Sequence, residues 1–229
     1  MSPRGHARLF RWALAVLLLP PVLLLGSVEA AYRYGLARVG ELPRPPPPRT
    51  GLAFQVLWLA EEGGPPRLEP LWPWRLVRHV PGWGQRPVGE FLASMTARQW
   101  LAFRPGREGV RPLHRIFQEL ALTVWISRHW SAEELLTAYA EGAPFGRGLI
   151  GLDAAARRYF GTEPERLALH EAALLAGLPQ SPSRYDPRYH PEAALRRRDF
   201  VLTRLLSAGL ISEAQREETR MQPLPAPAK

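Results

Sequence analysis

Residues 43 to 48 read PRPPPP, and no chain can carry that run through the interior of a helix or through a central strand. Each proline lacks the amide hydrogen that a helix turn or a sheet ladder needs, and its ring fixes φ. The run is expected to be a stiff, solvated polyproline II spacer. It divides the chain into a basic N-terminus at 1–11, an apolar segment at 12–32, a proline-rich linker at 33–50, a domain at 51–220 and a flexible tail at 221–229.

The apolar segment sets the compartment. Arg4, Arg8 and Arg11 precede a run from Trp12 to about Ala31, and about 20 apolar residues suffice to cross a bilayer as a helix. Flanking positive charge predicts that residues 1–11 stay in the cytoplasm and that everything after Tyr32 lies outside the inner membrane. Pro20 and Pro21 should bend this single-pass helix without preventing insertion. The alternative is a cleaved signal peptide, because Val28-Glu29-Ala30 resembles a small-x-small cleavage pattern. Both readings export the domain.

Composition narrows the partners. A chain of 229 residues, 46% hydrophobic, can bury a real core. It has no cysteine, so neither a disulfide framework nor a thiolate metal site is available. The net charge of +9 comes almost wholly from arginine, whose planar fork of donors suits phosphate and carboxylate. A polyanion or an anionic membrane surface is therefore an expected partner, but zinc-finger spacing, an aromatic RNP-like pattern and a long basic arm are all missing, so nucleic acid is not expected.

Beyond Arg111 the apolar period is helical. RPLHRIFQELALTVWISRHW sets Leu113, Ile116, Phe117, Leu120, Val124 and Ile126 near one face. Ser131 with Glu134 forms a capping box that opens the next helix. LDAAARRYF before Gly161, LALHEAALLAGLP, the proline-led PEAALRRRDFVLTRLLSAG and a short segment after Ser212 give further helices. Residues 63–90, rich in Pro, Gly and Trp, support only short segments, and no alternating strand pattern occurs. The expected class is mainly α.

FGRGLIGLDAAARRYFG followed by LALHEAALLAGLPQSPSRYDP resembles the C-terminal signature of the peptidoglycan glycosyltransferases, glycosyltransferase family 51. That domain occurs in monofunctional transglycosylases and in penicillin-binding proteins. The resemblance covers roughly Ala53 to Gln215 and is strong after Leu113. It implies a lysozyme-like helical domain behind one membrane helix in the bacterial inner membrane. Upstream, Arg115 and Glu119 fall on the arginine and glutamate of the family's RKxxE motif, and Tyr139 on the tyrosine of ExYLN, while Ile116 and Glu141 replace the lysine and asparagine. The first motif, EDxxFxxHxG, is matched only by Glu61-Glu62, and the second keeps Ser94 and Gln99 but has Ala102 in place of its lysine.

What the resemblance implies is polymerisation of lipid II into glycan strands with release of undecaprenyl pyrophosphate. Glu61 and Glu119 are then the candidate catalytic carboxylates, with Ser94, Gln99, Arg115 and Tyr139 in substrate binding. Glu119 follows Arg115 by one helical turn, so the two are expected to pair. Arg98 and Arg147 are added on local position, as guanidinium groups replacing the missing lysines in pyrophosphate contact. Arg157 and Arg158 read as a solvated face. Gly146, Gly148 and Gly151 suit unusual backbone angles.

His79, His114, His129, His170 and His190 show no metal-ligand spacing. No metal site is therefore expected in the protein itself; a divalent cation, Mg2+ or Mn2+, would arrive with the substrate pyrophosphate. The tryptophans at 58, 72, 74, 83 and 100 suit either a core or a membrane-facing belt. Two other functions fit the same residues. One is a catalytically impaired relative that binds lipid II, glycan or another cell-wall synthesis protein, favoured by the lost motif lysines. The other is a secreted hydrolase using the same two carboxylates.

Overall fold

The computed structural model describes residues 3–73, 86–104 and 111–225; Trp74, His79 and Trp83 fall outside them. Among the described residues the chain is mainly α. It forms α1 (Pro3–Val39), α2 (Leu52–Glu62), α3 (Glu90–Ala102), α4 (Pro112–His129), α5 (Ala132–Gly142), α6 (Leu152–Phe160), α7 (Leu169–Gly177), α8 (Pro191–Ser207) and α9 (Glu213–Arg220), with a 3-10 turn at Pro164–Arg166. Strand-type pairing among these residues is confined to one isolated antiparallel bridge between Pro144 and Ile150.

Local chemistry explains most of the boundaries. Ser131 Oγ accepts from the Glu134 amide at 3.1 Å while Glu134 accepts from the Ser131 amide at 2.7 Å, the reciprocal box that starts α5. Ser212 and Gln215 repeat it at α9. Pro112 and Pro191 sit in the first turns of α4 and α8, where no amide hydrogen is needed. Gly63 and Gly161 end α2 and α6 in the left-handed region.

The helix α2 is the centre of the core. Its sequence, AFQVLWLA, is apolar on nearly every side, and such a helix is stable only when surrounded. Phe54, Val56, Leu57, Trp58 and Leu59 are all buried. The helices α7 and α8 pack against α2, and α3 packs on α4 and α5. Of the tryptophans that suited a core or a belt, Trp58 is core, whereas Trp72 is 42% exposed.

Two expectations need correction. Residues 33–39 are helical rather than part of an extended linker, because α1 runs on to Val39 and finds a partner in α4. The backbone of α1 at Gly35 approaches α4 so closely that a Cβ there would collide with the Phe117 carbonyl and lie 2.8 Å from Ala121 Cβ. Tyr34 sets its ring edge-on to Phe117, and the Gln118 side chain donates to the Arg38 carbonyl at 2.6 Å. The irregular stretch begins at Gly40 and contains the proline run. At its far end the Arg49 guanidinium bonds Asp153 at 2.9 Å and Glu165 at 2.6 Å, clasping the spacer to the domain. Second, Leu113 and Ile116 do not join the core face of α4: they are 61% and 52% exposed, since this end of α4 lies against α1 rather than α2. Val124 and Ile126, further along, are buried as expected.

Among the described residues, one helix is long and apolar enough to cross a membrane, over Val16–Val39 with mean hydropathy 1.4. Its residues from Val16 to Leu25 are exposed.

Arginine serves this fold in a way composition did not suggest. Four arginines each close the C-terminal end of a helix other than their own: Arg104 donates to the Val39 carbonyl of α1, Arg204 to Leu59 and Ala60 of α2, Arg197 to Gly177 of α7, and Arg198 to Arg220 and Gln222 at the end of α9. The last carbonyls of a helix lack partners and carry partial negative charge, so a guanidinium fork satisfies both needs at once. This is why Arg198 can be almost fully buried with no carboxylate hydrogen-bonded to it.

Candidate active site

The helix α2 ends in two adjacent glutamates that point different ways, as neighbours separated by about 100° on a helix must. Glu62 turns inward. Its side chain is 2% exposed, and it accepts from the Leu92 amide at 3.1 Å, capping the first turn of α3, with Arg86 at 3.7 Å. Glu61 faces a cleft of about 550 Å³ lined also by Arg86, Phe91, Met95, Gln99, Tyr139, Pro144, Pro179 and Gln180.

Glu61 has a raised proton affinity. Burial pushes its pKa above the ordinary carboxylate value; the charge of Arg197, a hydrogen bond from Tyr139 and the charge of Arg204 pull it back in part. Tyr139 Oη donates to Glu61 Oε1 at 3.2 Å. Burial, then the charge of Glu61, drives the phenol pKa upward, so Tyr139 remains a donor. Behind both, the Arg204 guanidinium holds the carbonyls of Leu59 and Ala60 at 3.1 and 2.7 Å, fixing the end of the helix that carries Glu61.

The cleft thus brings Glu61, Gln99 and Tyr139 together. Gln99 lies where α3 meets α5, with its amide against Gly142: a Cβ there would stand 2.5 Å from Gln99 Oε1 and push that side chain out of its present position. Ser94, Arg98, Arg115, Glu119 and Arg147 are not among the residues that line the cleft. Ser94 bonds back to the Phe91 carbonyl of its own helix at 2.8 Å. The expected pairing of Glu119 with Arg115 does not form. Arg98 of α3 donates through two nitrogens to Glu119 Oε1, at 3.1 and 2.7 Å, while Arg115 is exposed and makes no ion pair among the described residues. Arg147 is exposed at the tip of a turn closed by the Leu149 amide on the Gly146 carbonyl, at φ 56°, with Gly146, Gly148 and Gly151 also at positive φ. Arg157 pairs with Glu163 at 3.0 Å on an exposed face, as its solvated reading implied.

Sequence reasoning missed Arg86, Gln180, Arg197 and Arg204. Arg86 sits in the Pro/Gly/Trp-rich stretch that carries no periodic signal. Arg197 sits inside the run Arg196-Arg197-Arg198, which reads as a solvated charge cluster, yet Arg197 and Arg198 are 8% and 1% exposed. Their only signal is their spacing from Ala194, Val201, Leu202 and Leu205, the buried stripe of α8.

The transglycosylase family matches residues 94–206. These residues form a transglycosylase domain. The chain is also similar to penicillin-binding protein 1A from Aquifex aeolicus (strain VF5), 43% identical over 114 residues, which is 50% of this chain and 16% of that protein. Penicillin-binding protein 1A from Escherichia coli (strain K12) is 36% identical over 156 residues, 62% of this chain and 18% of that protein. The crystal structure of penicillin-binding protein 1A from Haemophilus influenzae covers 71% of this chain and 18% of its own length, at 24% identity and a TM-score of 0.36. The chain therefore spans less than a fifth of the length of these relatives. The transglycosylase domain holds Ser94, Arg98, Gln99, Arg115, Glu119, Tyr139, Arg147, Arg197 and Arg204, while Glu61, on α2, lies ahead of the matched residues.

Proposed function

We propose that this protein is a membrane-anchored peptidoglycan glycosyltransferase that polymerises lipid II on the outer side of the bacterial inner membrane. The observation that carries this reading is Glu61, a carboxylate with raised proton affinity held by Tyr139 on the wall of a cleft large enough for a sugar. Glu61 takes the proton of the attacking 4-hydroxyl as its oxygen bonds to the anomeric carbon. The bond from that carbon to the pyrophosphate breaks, and undecaprenyl pyrophosphate leaves with the electron pair. A base is most effective when its pKa approaches working pH, the direction in which burial moves Glu61. Arg86, on the cleft wall, is the cation placed to meet negative charge there. A divalent cation would come with the pyrophosphate, and α1 would anchor the domain with its N-terminus in the cytoplasm.

One observation favours a second reading, a non-catalytic relative that binds lipid II, glycan or a cell-wall synthesis partner. Arg98 and Glu119 neutralise each other away from the residues lining the cleft, so neither group is free for substrate. The deciding experiment incubates the full chain in detergent with labelled lipid II and measures polymer. The enzyme reading expects polymer from the wild type and a loss of about 10²–10⁴-fold in Glu61→Gln. Saturable lipid II binding without polymer would establish the second reading instead.

A further inference from the structure

A second cavity, of about 210 Å³, lies between the loop after α7 and the helix α8, lined by Arg184, Tyr185, Ala193, Arg196, Arg197 and Phe200. It shares no lining residue with the Glu61 cleft. Three arginines line it, and no carboxylate does.

Arg197 is the built part of the site. It is 8% exposed, its Nε donates to the Gly177 carbonyl at 3.2 Å, and its guanidinium lies 4.8 Å from the Phe200 ring centre and 5.7 Å from that of Tyr185. These contacts fix the group; burial lowers its pKa, and the charge of Glu61 opposes that shift in part. Arg184 lies over Tyr185 at 5.7 Å and makes no ion pair among the described residues. Arg196 meets Glu192 only at 3.6 Å, with the two side chains 72% and 88% exposed, a contact of little energy.

Several other arginines have evident partners: Arg49, Arg98, Arg157 and Arg220 meet carboxylates, and Arg104, Arg198 and Arg204 close helix ends. In this cavity three arginines sit together with weaker compensation: Arg196 meets the exposed Glu192 only at 3.6 Å, and Arg197 feels the charge of Glu61 without an ion pair to it. Like charges at close range repel unless an anion joins them. The volume is below the ~300 Å³ at which pockets for whole small molecules begin, so the occupant is one compact group. A phosphate offers several oxygens and up to two negative charges to converging forks, which a single carboxylate does not. We propose that the Arg184–Arg196–Arg197 cavity binds a phosphate group. The proposal is independent of whether Glu61 is a base.

The phosphate could be soluble or carried by a lipid headgroup, and two probes separate these. The full chain in detergent is titrated calorimetrically with inorganic pyrophosphate, and in parallel its binding to phosphatidylglycerol vesicles is measured by co-flotation. The test variant is Arg184→Ala/Arg196→Ala, which spares the buried Arg197, and the control is Arg188→Ala, an exposed arginine outside the cavity. The double variant should weaken one probe by roughly 10–100-fold, as expected for losing hydrogen bonds to a charged group, while the control retains wild-type affinity. Loss confined to pyrophosphate identifies a soluble phosphate, and loss confined to vesicles identifies a lipid-borne one. Wild-type affinity of the double variant for both probes overturns the proposal. So does an equal loss in Arg188→Ala, or wild-type protein that saturates with neither probe.

Discussion

Arg204→Leu should destabilise this protein by about 2–4 kcal/mol although the residue is neither in the apolar core nor in an ion pair. Its Nη1 donates to Leu59 O at 3.1 Å and Ala60 O at 2.7 Å. Leu59 O also receives the Gly63 amide at 3.1 Å, so the carbonyl that depends most on Arg204 is Ala60. A hydrogen bond to a charged group contributes about 1.5–3 kcal/mol, and a cation at a helix C-terminus adds about 0.3–1 kcal/mol. The two acceptors share one nitrogen, so the first contribution counts once in full and the second in part. Leucine keeps an apolar contact with Phe200, over which the guanidinium now lies at 5.1 Å, so packing loss adds little.

Thermal unfolding followed by circular dichroism in detergent measures this directly. For a chain of this size the loss corresponds to roughly 4–15 °C in Tm. Arg204→Lys, a point charge able to reach one carbonyl at a time, should recover about half. A change below about 0.5 kcal/mol, the range of ordinary surface substitutions, would mean that water satisfies the end of α2 and that the cap is incidental. The variant has a second readout. Arg204 is one of the charges that lower the Glu61 pKa, so its removal moves that pKa further upward. A base must be deprotonated to act, and the rising limb of a pH–rate profile should therefore shift to higher pH.

Glu61→Gln should make the fold more stable at neutral pH, because it removes a carboxylate whose charged form is disfavoured by burial. Because the folded pKa of Glu61 is raised, its favourable contribution is complete below the ordinary carboxylate pKa and is lost as pH rises through the folded value. The gap between variant and wild type should hence open from acid to neutral pH in chemical denaturation, and a gap independent of pH would refute the assignment. At the turn tip, Arg147 holds φ 56°; Arg147→Gly should raise stability by up to about 1 kcal/mol and Arg147→Ala should not, because only glycine escapes the left-handed penalty. Equal melting temperatures for the two variants would show that the turn stores no strain.

Features that depend on one segment alone could be read from the sequence. The box at Ser131, the glycine stop at Gly161, the proline opening α8 and the proline spacer are local chemistry. Tyr139 and Gln99 entered the site by resemblance, and the structure sets both on the wall that Glu61 faces. What could not be read is which helix end meets which side chain. The run Arg196-Arg197-Arg198 looks solvated in one dimension, yet each buried member closes a helix whose end lies far away in sequence.

The competition for Glu119 shows the same limit in terms of energy. On one helix, Arg115 and Glu119 have the spacing for a pair, but such pairs contribute only about 0.2–0.5 kcal/mol. The packing of α3 on α4 instead presents Arg98, whose Nε and Nη2 converge on a single oxygen of a carboxylate that is 28% exposed. A charge-assisted fork at a partly desolvated oxygen outweighs a solvated intrahelical contact. The consequence reaches the proposed chemistry: Arg115 is left with its charge free at the surface, while Arg98, placed by position as a pyrophosphate contact, must first give up Glu119. If either arginine meets a pyrophosphate, Arg115 does so at the lower electrostatic cost.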